Sequence, residues 1–350
     1  MKRFCIVLLW VALIGSILYF PRLQIFRLEE RTLNVFAWGD ILDPSVVADF
    51  ERDTGIKINL SYYSSNEELV VKMHATQGEG YDLIIPSDFA VSRLVQENLL
   101  KPIDRSKLPF WSELNPLLLG HKFDPENRYS IPFEWELFGL GINSEYFKKR
   151  LFEPSWRLIF EQDGYKISML NEAMQALLIG ELYLYQKVAP LTAEEFVKIK
   201  EKLFKQNSFV EAYTDFRADY FLATGNCPVV VASSSYIWRT KKLFPFAQFV
   251  LPKEGTLISI ENFCIPASSE KQELAYTFIN ALFSPASLAR HFQSFGNFPA
   301  RQISASLLEM DPVMERLFRP SQSQFEQYYF YEPIVPQQQV RDLWVELKSS

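Results

Sequence analysis

Glu134 and Glu136 stand two apart in "YSIPFEWELFGLGIN", residues 129 to 143. On an extended strand, acids at that spacing point to the same side. Such a pair could serve as general acid and base, and a solvated strand edge accounts for it equally well. Catalysis needs more than the pair, and the chain offers little else. The three histidines, His74, His121 and His291, are far apart in sequence, and His74 falls on a helix where a surface or packing role suffices. No H-E-x-x-H, C-x-x-C, G-x-S-x-G or G-x-x-x-x-G-K occurs. Gly139–Leu140–Gly141 lacks the third glycine of a dinucleotide loop. The residues supply no metal site, no cofactor and no nucleophile, so the expectation is a protein that binds and not an enzyme.

A second pointer to chemistry is an aromatic residue placed where a strand stops. Trp38 ends the apolar run that opens "TLNVFAWGDILDP", and the chain turns at once through Gly39–Asp40. The elements around it explain the placement. Residues 32 to 38 read as a strand, and Asp43 with Pro44 starts a helix that Gly55 can end. Ile56, Ile58, Leu60 and Tyr62 alternate with polar residues as a second strand. Ser65 and Glu68 form a capping-box pattern for a second helix, Tyr81 to Ile85 is a short buried strand, and Ser87 or Asp88 caps a third helix. Such β-α-β alternation gives a mostly parallel sheet with helices on both faces, and ligands sit beyond the carboxyl ends of its strands. Trp38 and Ser87–Phe89 both follow strand ends, where a side chain faces a ligand instead of filling the sheet.

Farther on, Pro132 interrupts an extended stretch and a new strand is expected from Gly139 to Asn143, with a crossing between lobes here. Helices follow at about 171–187, after Thr192 with Glu195 in the box position, at 270–283 and at 285–294, with a strand from Pro228 to Ala232. "ISIENFCIP" near 258–266 reads as the return crossing.

The totals agree with two lobes. The chain has 350 residues, 48% of them hydrophobic and 15% aromatic, enough for a substantial core. Its formal charge is −6; the first 31 residues carry +3, so the remainder carries −9. An acidic body argues against nucleic acid. It suits a cationic ligand, and solubility alone also accounts for it. Lys2 and Arg3 precede an apolar run from Phe4 to Phe20, the order of an export signal, either cut off or kept as a membrane anchor. Cys227 and Cys264, in apolar surroundings, read as buried thiols and make no disulfide framework.

The chain resembles the periplasmic spermidine/putrescine-binding proteins of bacterial polyamine ABC transporters. The stretches that carry the likeness are "FAWGD", "FERDTGIKI", "YDLIIPS", "KPIDRSKLP", "FDPENRYSIPFEW", "GIN", "SWRLIF", "PKEG" and "IPAS", in order from residue 32 to about 300. The resemblance implies a two-lobed periplasmic-binding-protein (type II) fold of class α/β. Each lobe would be a mostly parallel sheet flanked by helices, with a cleft between them that closes on a ligand. The β-α-β alternation and the two extended crossings then give lobe 1 from 32–134 plus about 262–310 and lobe 2 from about 135–261 plus 311–350, after residues 1–31 as signal peptide or anchor.

Polyamine recognition needs acids or carbonyls for each ammonium and flat aromatic walls for the methylenes. Trp38 matches the family's first-lobe tryptophan, with Gly39 where a threonine is usual. Ser87 matches, Asp88 follows it, and Phe89 replaces a tyrosine. Glu172 stands at an acidic position and Gln175 replaces a glutamate. Ser233 and Ser259 stand where the family places tryptophans, and Tyr236 or Trp238 could supply a missing ring. Glu261 keeps an acidic position one methylene longer, and Asn297 falls where a tyrosine is common. The implied function is the substrate-binding component of an ABC importer, handing a polyamine or similar small organic cation to a membrane permease. The chain would act as a periplasmic monomer. A binding protein for another small solute, such as a thiamine-like compound, an amino-acid derivative or a phosphonate, is the alternative. So is an anchored interaction protein that has lost its ligand.

Overall fold

The computed structural model describes residues 31–161, 164–214 and 217–350, together with Trp10, Ile14 and Gly15. The expected export signal lies, apart from those three positions, outside the described residues. Among the described residues no helix is long and apolar enough to cross a membrane.

Three parallel strands open the fold: β1 (Thr32–Trp38), β2 (Lys57–Tyr63) and β3 (Leu83–Ile85), in sheet order β2-β1-β3. Between and after them run α1 (Pro44–Thr54), α2 (Asn66–Thr76) and α3 (Asp88–Gln96). Local chemistry sets their ends. The Asp43 carboxylate accepts from the backbone of Ser45 and Val46, Pro44 follows it, and Gly55 closes α1 at φ 69°. Ser65 accepts from the backbone of Glu68, but Glu68 bonds the backbone and hydroxyl of Ser64, so only half of the expected box forms on Ser65. At α3 the sequence expectation fails. Ser87 occupies the capping position without a capping bond, and its hydroxyl donates to Asn66 Oδ1 at 2.8 Å.

The second sheet is mixed. It comprises β4 (Ile131–Asn143), β5 (Ile167–Met169), β6 (Val210–Tyr213), β7 (Val229–Ser233), β8 (Ala247–Val250), β9 (Thr256–Phe263), β10 (Phe298–Pro299) and β11 (Tyr328–Tyr329). The order is β11-β9-β4-β7-β5-β6, with β8 and β10 also paired to β4. The longer helices after β4 are α4 (Ala173–Tyr185), α5 (Ala193–Asn207) and α6 (Ala218–Thr224), then α7 (Ser234–Leu243), α8 (Gln272–Leu282) and α9 (Pro285–Phe295). They end with α10 (Pro312–Phe318) and α11 (Gln337–Ser349). Thr192 and Glu195 form the reciprocal capping box of α5.

The strand β4 is continuous, so Pro132 does not divide it. Proline stands at its second residue, and a register shift between Pro132 and Glu134 absorbs the missing donor. β4 pairs antiparallel with β9 from Ile131↔Phe263 to Leu137↔Ile258. Beside β3, the chain just past β9 exchanges both backbone bonds between Ile84 and Cys264, each 2.9 Å. The far half of β4 pairs with β7 and β8. The antiparallel β4–β9 pair thus belongs to the second sheet, and β9 is tied to the end of β3 through isolated bridges at Ser87↔Glu261 and Ile84↔Cys264.

The "GLG" stretch lies in that far half of β4. A Cβ on Gly141 would run into Ile237 Cδ1 of α7 and come within 2.8 Å of Val230 Cγ2. Glycine there lets a helix press onto the strand. After β9 the chain returns to the first sheet: Phe278 of α8 meets Phe50 of α1 with ring centroids 4.9 Å apart. Cys227 and Cys264 are both buried and free.

Candidate ligand-binding cleft

Trp38 ends β1 on a firm seat. Its ring lies 4.6 Å from that of Tyr63, whose hydroxyl donates to the carbonyl of Ile85 at 2.6 Å. The indole is half-buried, and its Nε1 is shut off from solvent without a hydrogen-bond partner.

The crossing strands bring acids to this place. Glu134 and Glu261 are cross-strand partners on β4 and β9, and so are Glu136 and Ser259, so all four side chains share one face. A bridge between Ser87 and Glu261 ties that face to the end of β3. Asp88, expected as a cap, instead reaches β9, where its Oδ1 accepts from the backbone of Ile260 at 3.1 Å. Ser259 donates to Glu261 Oε1 at 3.2 Å, while Glu261 Oε2 is buried and unpartnered. Ser235, in the first turn of α7, donates to Glu136 Oε2 and lies 2.9 Å from Ser233 Oγ. Behind this patch, Asn297 donates to Glu134 Oε2 at 3.1 Å, and fully buried His291 places Nδ1 3.4 Å from Glu134 Oε1.

Burial dominates the electrostatics. It pushes the Asp88 carboxyl up to about 7, against the hydrogen bond from Ile260. Burial also raises the carboxyls of Glu134 and Glu136. Glu261 is raised well above its ordinary range, first by burial and then by the charges of Asp88 and Glu136; its nearness to Trp38 and Ser259 only partly offsets this. Among the described residues no lysine, arginine or histidine forms an ion pair with Asp88, Glu136 or Glu261. The charge of Arg239 acts on Glu136 and partly offsets its burial.

Arg239 stands at the edge of the patch. It lies over the Tyr236 ring at 5.3 Å and its Nη1 is 3.7 Å from Asp40 Oδ2, linking α7 to the turn after Trp38. The Tyr236 hydroxyl donates to Asp219 at 2.8 Å. Of the two rings weighed as replacements, Tyr236 is therefore the one beside the cleft. Trp238 is buried against Phe292, centroids 5.4 Å apart.

Of the residues singled out from the sequence, Trp38, Ser87, Asp88, Ser259 and Glu261 meet in one place. Ser233 joins through Ser235, and Asn297 through Glu134. Phe89 follows Asp88 in the first turn of α3 and is half-buried. Glu172 and Gln175 stand just past the carboxyl end of β5, where Glu172 caps α4 by accepting from the backbone of Met174 and Gln175 at 3.1 Å each. Sequence reading treated Glu134 and Glu136 as equally consistent with a solvated edge, and they are not one: Glu134 is 1% exposed. The signal that could have found them is their place on the crossing strand, opposite Glu261. Ser235 and Arg239 were not foreseen.

Four acids beside one aromatic wall give this patch a surplus of acceptors, an arrangement that suits a cation. Residues 45–315 match the family model of the bacterial extracellular solute-binding proteins. The chain belongs to this family. A solute-binding protein holds its ligand without chemical change, in keeping with the absence of catalytic motifs from the sequence. Two relatives of these solute-binding proteins are similar along much of their length. The putrescine-binding periplasmic protein PotF of Escherichia coli K12 is 29% identical over 276 residues, 73% of this chain and 74% of that protein. The putrescine-binding periplasmic protein SpuD of Pseudomonas aeruginosa is 27% identical over 374 residues, 100% of this chain and 99% of that one. Among solved structures, one from Listeria monocytogenes described as a spermidine/putrescine ABC transporter superposes with TM-score 0.79 at 26% identity. It covers 91% of this chain and 99% of its own. The spermidine/putrescine substrate-binding protein PotD of Streptococcus pneumoniae superposes with TM-score 0.78 at 23% identity, covering 91% and 99%, which shows the shared two-lobed fold.

Proposed function

We propose that this chain is the substrate-binding component of a bacterial ABC importer and captures a polyamine, spermidine or putrescine, or a similar small organic cation. The observation that carries this reading is the acid patch beside Trp38, in which buried Asp88 and half-buried Glu136 and Glu261 stand together with no ion-pair partner among the described residues. An ammonium entering between them meets several carboxylate acceptors at once, and such charge-assisted bonds contribute about 1.5–3 kcal/mol each. Trp38 offers the flat wall that methylenes and cations favour. The names of the similar proteins point the same way, to putrescine and spermidine.

Capture works where the two sheets meet. β4 and β9 carry acids on one face of the second sheet, and Ser87 and Asp88 from the first sheet's end meet β9 there, so a cation bound among Asp88, Glu136 and Glu261 would tie the two sheets together. The chain would work in the periplasm as a monomer and deliver its ligand to a membrane permease that supplies the energy. Ten residues are its proposed site: Trp38, Ser87, Asp88, Phe89, Glu172, Gln175, Ser233, Ser259, Glu261 and Asn297. The test is titration calorimetry with spermidine and putrescine, paired with thermal unfolding. Ligand at 100 times its Kd stabilises by about 2.7 kcal/mol. Neither heat nor a thermal shift at millimolar polyamine would overturn the polyamine reading and leave the family standing.

A further inference from the structure

The acid patch raises a question of charge balance before any ligand arrives. Glu134 and Glu136 on β4 and Glu261 on β9 point to one face, and Asp88 reaches the same strand from α3. The other titratable or charged groups packed against them are few. Tyr63 on β2 spends its hydroxyl on the Ile85 carbonyl. His291 on α9 faces Glu134 alone. Arg239 on α7 acts on Glu136 and is shared with Asp40. Buried like charges cannot all ionise, because each loses hydration and repels the next. Glu261 Oε2 marks the place, since it is buried and has no donor of its own.

We propose that the ligand-free cleft holds a proton shared among Asp88, Glu136 and Glu261, and that the ligand's cation displaces it to solvent. The inference rests on the cation-binding reading above and adds a stoichiometry to it. No covalent bond other than the acid O–H breaks, and the proton leaves to buffer as the ammonium takes its place. The burial-raised carboxyls agree with the arrangement. Aliphatic amines titrate near pH ~10, so the ligand's own charge is constant between pH 6 and 8 and cannot imitate the effect.

The test has two arms. In the first, putrescine is titrated into the protein at pH 7 in phosphate and in Tris, buffers of different ionisation heat, and again from pH 6 to 8. The expected result is release of about one proton per ligand and an affinity that rises up to about tenfold per pH unit below the shared titration. Binding with the same heat in both buffers and a flat affinity would overturn the exchange while the polyamine reading stands. The second arm needs no ligand: infrared titration of the free protein, parent against Glu261→Gln. A protonated-carboxyl band that persists above pH 6 in the parent and weakens in the variant upholds the held proton, even if putrescine fails to bind and the polyamine reading falls. No such band in the parent overturns the held proton.

Discussion

Glu134 and Glu261 are direct cross-strand partners on β4 and β9, and both are carboxylates. Like charges placed opposite each other on a sheet are destabilising. Glu134 is relieved by Asn297 and His291, whereas Glu261 has the neutral Ser259 hydroxyl and Trp38 indole beside it. The asymmetry separates the roles. Glu134 is braced from behind, and Glu261 is left with an open acceptor toward Trp38.

Asp88 makes this cost measurable as a function of pH. Its carboxyl is raised from 3.8 to about 7 by burial, so the folded state holds a proton that the unfolded chain releases near pH 4. The penalty is absent below pH ~4, grows as pH rises through the folded value near 7, and is constant above it. Asp88→Asn keeps an oxygen to accept from Ile260 and removes the charge. The variant should therefore gain stability over the parent steadily between pH 4 and 7, by an order of a few kcal/mol at pH 8. Urea denaturation of ligand-free protein at pH 4, 6 and 8 measures it, and a difference independent of pH would refute the buried-acid account.

Gly141 tests the packing of α7 on β4. Adding a methyl group runs into Ile237 Cδ1, so Gly141→Ala should destabilise by about 1–3 kcal/mol through overpacking. Ile237→Val removes that Cδ1 atom, and the double variant should recover part of the loss. Thermal unfolding of the four proteins gives the coupling. Additive losses would show that the glycine serves some other purpose.

The legible parts of this fold were the ones written within a few residues. The caps at Asp43 and Thr192, the αL glycine at Gly55 and the β-α-β order of the first sheet follow from local chemistry. The misread parts depend on partners far away. Asp88 looks like a cap because acids suit helix starts, yet its partner Ile260 is 172 residues on. Glu134 and Glu136 look like a solvated edge until β9 is paired beside them, and no local pattern specifies that pairing. Glu172 is the reverse case. Resemblance marked it as an acidic position, while its capping of α4 was readable from its place before the helix and was overlooked.

Trp38 separates area from charge. Trp38→Ala removes the wall seated on Tyr63 and leaves the acids in place. Polyamine affinity should fall by about 0.5–2 kcal/mol from the lost cation–π contact, plus a further loss of apolar area. Because no ion pair is broken, the salt dependence of the remaining affinity should match that of the parent. Calorimetry at two ionic strengths measures both terms. A variant that binds as tightly as the parent would mean that Trp38 serves the sheet edge and not the ligand.

Glu261→Gln gives the sharpest contrast, because the structure and a surface reading of this residue disagree in both sign and size. A solvated acid would contribute about 0–1 kcal/mol to binding and almost nothing to the fold. Glu261 is instead raised by burial and by Asp88 and Glu136, with Oε2 closed off from water. Its raised carboxyl costs stability as pH rises above the ordinary glutamate range, and glutamine does not titrate. The variant should therefore be more stable than the parent at pH 8 and nearly equal to it at pH 4. Binding should move the other way. Breaking a desolvated ion pair on one side costs about 2–5 kcal/mol, so polyamine affinity should fall by roughly 30-fold or more. Few single changes are expected to strengthen a fold while emptying its site, so measuring both on one sample excludes misfolding as the cause. Affinity within twofold of the parent would remove Glu261 as the ammonium partner and shift that role to Asp88 or Glu136.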